Sequence, residues 1–440
     1  MADAVLDVVV IGGGFAGITA ARDLRDRGLS VVLLEARNRI GGRTFSRELE
    51  GTQEVIELGG ARLALDYMPN VAREVHRYGA RVGKCEAARH CKFVVDGGPS
   101  ATPASRTDAM SLERAWYMIS TAAARISPHI PLHVQPVEDL DISWADFFEP
   151  LVISPAAYET VLATVSILVG GNPHSFSALQ TLAWIASLGG RPYKTFTSVV
   201  TDRLVDGTGH LLGQMVSKAG LDVRLRRPVS AIRQRGSEVQ AFTETGEVFT
   251  GRVCVLAVPT NVIHDIEMHP SPSAPKRRIL CSNHHGRAYR ANMLVRGAPR
   301  GFLGLGWRSG FQAVISEKQL GPKLSIMSGF GAEALGAIDL ADEEAVRSAV
   351  APLLGDAHVV TVDAHDYNAD PYSNGSWRMN PPGLAHKFAL TMNEPENRIV
   401  FAGSDVSFST LNGWIEGAID SGHYAAGAAA SRITHDARGA

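Results

Sequence analysis

The stretch VLDVVVIGGGFAGITAARDLRDRGLSVVLLE (5–35) decides the fold. Its first seven residues are apolar apart from Asp7 and rich in β-branched side chains, which predicts a strand buried on both faces. From Ile18 the apolar positions 18, 20, 21 and 24 alternate with charges at 22, 23 and 25–27, the spacing of an amphipathic helix closed by Gly28. SVVLLE (30–35) is a second buried strand, and Glu35 ends it. Between the first strand and the helix, Gly12, Gly14 and Gly17 spell G-x-G-x-x-G. The first glycine permits a tight turn, the second lets backbone approach a pyrophosphate, and the third lets helix and strand pack closely. The helix start then offers amide donors and a positive dipole to phosphates. A carboxylate at Glu35 accepts from ribose hydroxyls and repels a 2′-phosphate. Strand, glycine turn, helix, strand and acid in this order predict an α/β unit that binds a dinucleotide.

The whole chain has 440 residues, 45% apolar and 20% charged, which leaves ample material for a core and for two or three domains. Forty-three basic residues oppose 45 acidic ones, so there is no cationic excess to neutralise nucleic acid. The start, MADAVLDVVV, carries acids where an export signal carries basic residues. The longest apolar candidate, VLATVSILV (161–169), is too short for a membrane span. Four cysteines in so long a chain fit a reducing cytoplasm, and the expectation is a cytoplasmic protein without a membrane partner.

Further along, FVVDGG (93–98) reads as a strand entering an Asp-Gly turn. Residues 107–126 and 155–187 read as helical. VSAIRQ, EVQAF, EVFTG and VCVLAV (within 229–258) read as strands of an antiparallel meander, and 287–296, 311–316, 324–330 and 359–366 as strands of a second sheet. IVFAG (399–403) is another buried strand, followed by a helix at 414–430 rich in small residues.

EARNRIGGRT (35–44) adds a second glycine pair and Arg43, and this phrase resembles a signature of the flavin amine oxidase family, which includes monoamine, polyamine and L-amino-acid oxidases. The resemblance continues in order through ELGGARL (57–63), LVDGTGHLLGQM (204–215), RRPVSAI (226–232), VCVLAVP (253–259) and FAGSD with NGWIEGAIDSG (401–422). It implies an α/β fold: a Rossmann-type FAD-binding domain from 1–82, 200–265 and 386–440, and a discontinuous α+β substrate domain with a mixed sheet and helices from 83–199 and 266–385. FAD is the implied cofactor. Gly12, Gly14, Phe15, Ala16, Gly17, Glu35, Ala36, Arg37, Gly41, Gly42 and Arg43 would hold its ADP part, with Val229 and Ala257 beside it. Gly59, Gly60, Ala61, Arg62, Gly403, Asp405, Trp414, Ile415 and Ala418 would face the flavin and its ribityl chain, Asp405 standing in for a glutamate. The helix from Trp414 would aim its positive end at the flavin pyrimidine. Ser376 falls where monoamine oxidases carry a flavin-linked cysteine, which implies non-covalent FAD.

For chemistry, the resemblance implies four residues. Trp377 and Trp414 align with a pair of aromatic residues that flank the amine, against the alternative that each is a core aromatic. Arg62 aligns with an arginine of L-amino-acid oxidases that grips the substrate carboxylate; a buried guanidinium needs an anion, and an internal acid or a surface position are the other readings. Arg290 stands where the family usually has a lysine that holds water near flavin N5, or is a plain strand arginine. The expectation is an oxidoreductase that takes hydride from the carbon beside a neutral amine. It gives an imine and then a carbonyl, with O2 reduced to hydrogen peroxide. An L-amino acid or other carboxylate-bearing amine is the preferred substrate; a neutral amine, alkaloid or polyamine oxidase, or a dehydrogenase with poor O2 use, is the alternative. A homodimer is compatible with this reading. His284, His285 and Cys281 lack the companions a metal needs, Cys85 and Cys91 are not a C-x-x-C pair, and no Ser-His-Asp set or P-loop is visible. Trp116, Tyr117, Trp184 and Tyr193 read as helical core rather than pocket.

Overall fold

The computed structural model describes residues 5–95, 98–100, 105–195, 199–282, 286–307 and 309–439. The opening stretch folds as its pattern predicts. Strand β1 (Leu6–Ile11) leads into helix α1 (Phe15–Asp26), and strand β2 (Val31–Leu34) returns parallel to β1, Val8 opposite Val31 and Ile11 opposite Leu34. On the other side of β1 lies β3 (Val248–Leu256), also parallel, with Val10 opposite Val255. The sequence splits β3 into two strands, but it is one. Its first half pairs antiparallel with Glu238–Thr243, and its second half pairs with β1 and with β4 (Ile399–Phe401). Gly251 sits within the strand, paired with Leu6 on one side and Val239 on the other, and a side chain there would press on Val9 at 3.0 Å. Asp222–Arg224, Val229–Arg235 and Glu267–His269 complete eight strands. The last of these joins the first sheet just past residue 265, where the second domain was expected to begin.

Helix α2 (Ile415–Gly439) lies against α1. Its small residues allow this: a side chain at Gly422 would stand 2.5 Å from the Ala16 carbonyl. The second sheet has seven strands in the order His358–Ala364, Ala288–Arg296, Leu324–Ala332, Ala313–Gly321, Phe302–Gly306, His90–Val95 and Gly98–Ser100. It is mixed, because Phe302–Gly306 runs parallel to His90–Val95 and the other neighbours are antiparallel. The Asp96–Gly97 turn lies outside the described residues. The stretch 155–187 is two helices, Pro155–Val169 and Ala178–Ser187, rather than one. Gly170 ends the first in the left-handed region, and the Ser177 hydroxyl caps the second by accepting from the Leu179 amide. No helix among the described residues is long and apolar enough to cross a membrane.

Candidate active site

A cavity of about 540 Å³ runs from the glycine turn after β1 to the tryptophans beside α2. Its nucleotide end is built from backbone. A side chain at Gly17 would lie 1.9 Å from the Gly12 carbonyl, and one at Gly12 would lie 2.4 Å from the Ala257 carbonyl, so the close approach of the turn to α1 and to the end of β3 requires glycine at both positions. Gly17 therefore acts behind the wall, while Gly12, Gly14, Phe15 and Ala16 form it. No side chain caps α1, and Ile18 is the first residue to donate to a helical carbonyl, that of Gly14. The amide donors of the first turn are left for an anion. Facing them is the loop of Gly41 and Gly42, where a side chain on Gly42 would point at the Gly14 Cα 3.7 Å away. Glu35 is buried, and its two oxygens accept from the amides of Gly13 (2.7 Å) and Arg37 (2.8 Å). A carboxylate has lone pairs left for a ribose. Ala36 and Val229 complete this end. The donor set fits the ADP half of FAD.

Arg37 and Arg43, both expected to hold the ADP part, line the cavity, but each already has an acid. Arg37 grips Asp370 through Nη2 (2.7 Å) and Nε (3.1 Å), and Arg43 pairs with Asp405 (2.9 Å) while donating to the Ser376 carbonyl (2.7 Å). Asp405 is accordingly not a cavity residue. Its neighbours Gly403 and Ser404 line the wall, and its carboxylate, 4% exposed, accepts from Arg43 and from the amide and hydroxyl of Thr260. Burial alone would raise its pKa, but the Arg43 charge holds it below the usual carboxylate range. The expected ribityl contact of Asp405 is corrected to an internal pair.

Arg62 needs the same correction. Gly59, Gly60, Ala61 and Arg62 line the flavin end, and the Arg62 guanidinium lies 3.1 Å from Glu317 of the facing sheet. Arg290 reaches the same carboxylate at 3.3 Å and also donates to the Gly59 carbonyl (3.0 Å) and the Ser328 hydroxyl (2.8 Å). Burial would raise the Glu317 pKa, but Arg62 and then Arg290 hold it at about 2. The anion that Arg62 requires is thus supplied by the protein, and the substrate carboxylate is not needed to balance it.

The remaining wall is aromatic and apolar. Trp377 donates from Nε1 to the Leu168 carbonyl at 2.9 Å. Trp414 meets Trp184 edge-to-face, centroids 5.8 Å apart, and Trp184 is fixed by donating to Asn412 Oδ1 at 3.1 Å. Gly413, at φ +79°, lets the chain pass between rings: a side chain there would meet Trp184 at 3.1 Å and Trp377 Cβ at 3.6 Å. Ile167, Leu168, Val200, Ile315 and Phe330 close the wall, and Ile415 and Ala418 bring the start of α2 to it. Trp184 is both core and wall, which the helical pattern hides. Tyr117, expected in the core, is 75% exposed, and neither it nor Trp116 lines the cavity. The Tyr193 side chain, His284 and His285 lie outside the described residues.

A dinucleotide-binding β1–α1–β2 unit facing an indole-walled chamber fits an FAD-dependent amine oxidoreductase. Residues 15–430 match the family described as flavin containing amine oxidoreductase, and the chain belongs to that family. The (S)-6-hydroxynicotine oxidase of Paenarthrobacter nicotinovorans is 30% identical over 429 residues, covering 96% of this chain and 99% of that protein. A pseudooxynicotine dehydrogenase of Pseudomonas sp is 29% identical over 434 residues, covering 94% and 84%. Among solved structures, putrescine oxidase bound to putrescine superposes with a TM-score of 0.82 at 22% identity, covering 97% of this chain and 99% of that one.

Proposed function

We propose that this enzyme oxidises the C–N bond of a monoamine with an uncharged, apolar body, of the aryl-alkyl or alkaloid type. The observation that carries the reading is the Arg62–Glu317 pair: the guanidinium expected to grip a substrate carboxylate already has a carboxylate partner within the protein. The named substrates of the two bacterial relatives, nicotine-type amines, support the same class. The acids in the cavity wall are Glu35, Glu244 and Asp265, all on loops adjoining the first sheet. A second ammonium at the tryptophan end would therefore meet no wall carboxylate among the described residues, which disfavours diamines.

Bound FAD supplies the two-electron acceptor. The chain's part is placement. Trp377 and Trp414 flank the nitrogen, and a tryptophan end without wall carboxylates favours its neutral form, whose lone pair forms the C=N bond as hydride leaves the adjacent carbon. The imine hydrolyses in water to the carbonyl, and O2 takes the electrons as hydrogen peroxide. Ser376 has a hydroxyl that accepts from the Ala288 amide at 3.1 Å and no thiol to form a thioether, so FAD is held without a covalent bond. Anaerobic flavin bleaching against L-amino acids, diamines and uncharged aryl-alkyl amines tests the reading. The last class should bleach fastest; faster bleaching by an L-amino acid would overturn it.

A further inference from the structure

We propose that residues 365–377 form a clasp across the dinucleotide cleft, with Asp370 as the positioning residue that ties FAD retention at the nucleotide end to the placement of Trp377 at the substrate end. The proposal rests on the cavity being the FAD cleft. The segment HDYNADPYSNGSW follows the edge strand of the second sheet, yet Tyr367, Pro371, Tyr372, Ser376 and Trp377 all line the cavity. It thus spans the cleft from one end to the other. Tyr372 belongs to the nucleotide end, where the Arg37 guanidinium lies 5.4 Å from its ring centroid. Trp377 belongs to the substrate end, beside Gly413.

Asp370 gathers the segment. Its carboxylate, only 9% exposed, meets Arg37 through two nitrogens, His365 Nε2 at 3.0 Å and the Tyr372 amide at 2.9 Å. Its carbonyl accepts from the amides of Ser373 (3.0 Å) and Asn374 (2.8 Å), and Gly375 donates back to the Tyr367 carbonyl (2.9 Å). One residue therefore fixes both the turn and its attachment to the loop after β2. The turn is pinned to the nucleotide side at three further points: Arg37 donates to the Ser373 hydroxyl (2.8 Å), Asn261 donates to the Ser373 carbonyl (3.2 Å), and Arg43 donates to the Ser376 carbonyl (2.7 Å). Trp377 is the next residue, and its carbonyl accepts from the Gly286 amide. A backbone so short and so fully bonded transmits a shift at Asp370 to the indole. The Tyr367 hydroxyl supports a cleft-facing role: it is buried without a protein partner, and such groups usually find one in the ligand or in water.

The test uses purified holoenzyme. Asp370→Ala removes every carboxylate contact, whereas Ser373→Ala removes only the 2.8 Å bond to Arg37 Nη2. Asp370→Ala should release FAD about tenfold faster or more, the scale of losing a buried charge-assisted pair, as read by the rise of free-flavin fluorescence. It should also raise the amine KM severalfold and speed amide hydrogen exchange at 375–377, beyond its own contacts. Ser373→Ala should move all three in the same direction by less, and it serves if Asp370→Ala does not fold. Unchanged FAD release overturns the clasp. Faster release with unchanged exchange at 375–377 and unchanged KM overturns the coupling. Flavin absorbance in the unsubstituted protein separates these failures from a failure to bind FAD at all.

Discussion

Replacing Glu317 by glutamine removes the anion shared by Arg62 and Arg290 while keeping the side chain's shape. The cost follows from the carboxyl's pKa of about 2 in the folded protein. Against an ordinary glutamate near ~4.3, that is roughly two pKa units, or about 3 kcal/mol at neutral pH. The sign is that of a depressed acid: the stabilisation is present above the unfolded value and is lost as pH falls through the folded one. Glu317→Gln should therefore lose about 3 kcal/mol at pH ~7 and almost nothing near pH ~2, so its stability profile converges with that of the unsubstituted protein in acid. Denaturant unfolding followed by tryptophan fluorescence at both pH values measures this. The same substitution leaves Arg62 in the cavity wall without its carboxylate, so it should bind a small carboxylate such as benzoate about tenfold more tightly, seen as a perturbed flavin spectrum. The double variant Glu317→Gln/Arg62→Met should recover part of the stability and lose the benzoate gain. Equal stability at neutral pH, or benzoate binding no tighter than in the unsubstituted enzyme, would refute the internal-pair argument.

Gly17→Ala should yield protein without flavin colour, because its methyl would stand 1.9 Å from the Gly12 carbonyl; full FAD occupancy after purification would contradict the close approach of α1. Trp414→Ala should lower kcat/KM by about 10–100-fold through lost positioning while FAD stays bound, measured by anaerobic bleaching and flavin absorbance. Trp377→Phe keeps an aromatic face but loses the 2.9 Å bond to the Leu168 carbonyl, about 1 kcal/mol, so KM should rise severalfold with little change in the bleaching rate at saturation. Asp370, like Glu317, is held at about 2: burial raises it, and His365 and Arg37 more than offset that. Acidification through pH ~4 to ~2 should therefore loosen FAD before the fold is lost, as followed by flavin fluorescence with circular dichroism unchanged.

The nucleotide half is legible in the sequence because its geometry is local. Gly12, Gly14 and Gly17 sit within six residues, and side chains at Gly12 and Gly17 would collide with neighbouring backbone. The positions of Trp377 and Trp414 come from motif resemblance, and both do line the cavity. What the sequence leaves open are the partners of buried charge. Glu317 is 255 residues from Arg62, on a strand whose residues 313–317 are all buried, so no alternation marks its side chain as facing the flavin end. Asp370 is 333 residues from Arg37, and Asp405 is 362 from Arg43.

Arg62 shows the physical limit most clearly. Its setting in ELGGARL states that a guanidinium in an apolar wall must meet an anion, and that inference is sound. Whether the anion is a substrate or a glutamate depends on which strand of the second sheet stands opposite, and that is fixed by pairing across the whole chain. The same incompleteness affects Arg37 and Arg43, whose acids come from the clasp and from the loop after β4. All three arginines lie in the cavity wall, and each carries an acid drawn from distant sequence. Because Arg62 shares Glu317 with Arg290, the enzyme offsets much, but not all, of the positive charge in its own cleft. A ligand entering it is then selected chiefly by backbone donors at one end and indole faces at the other.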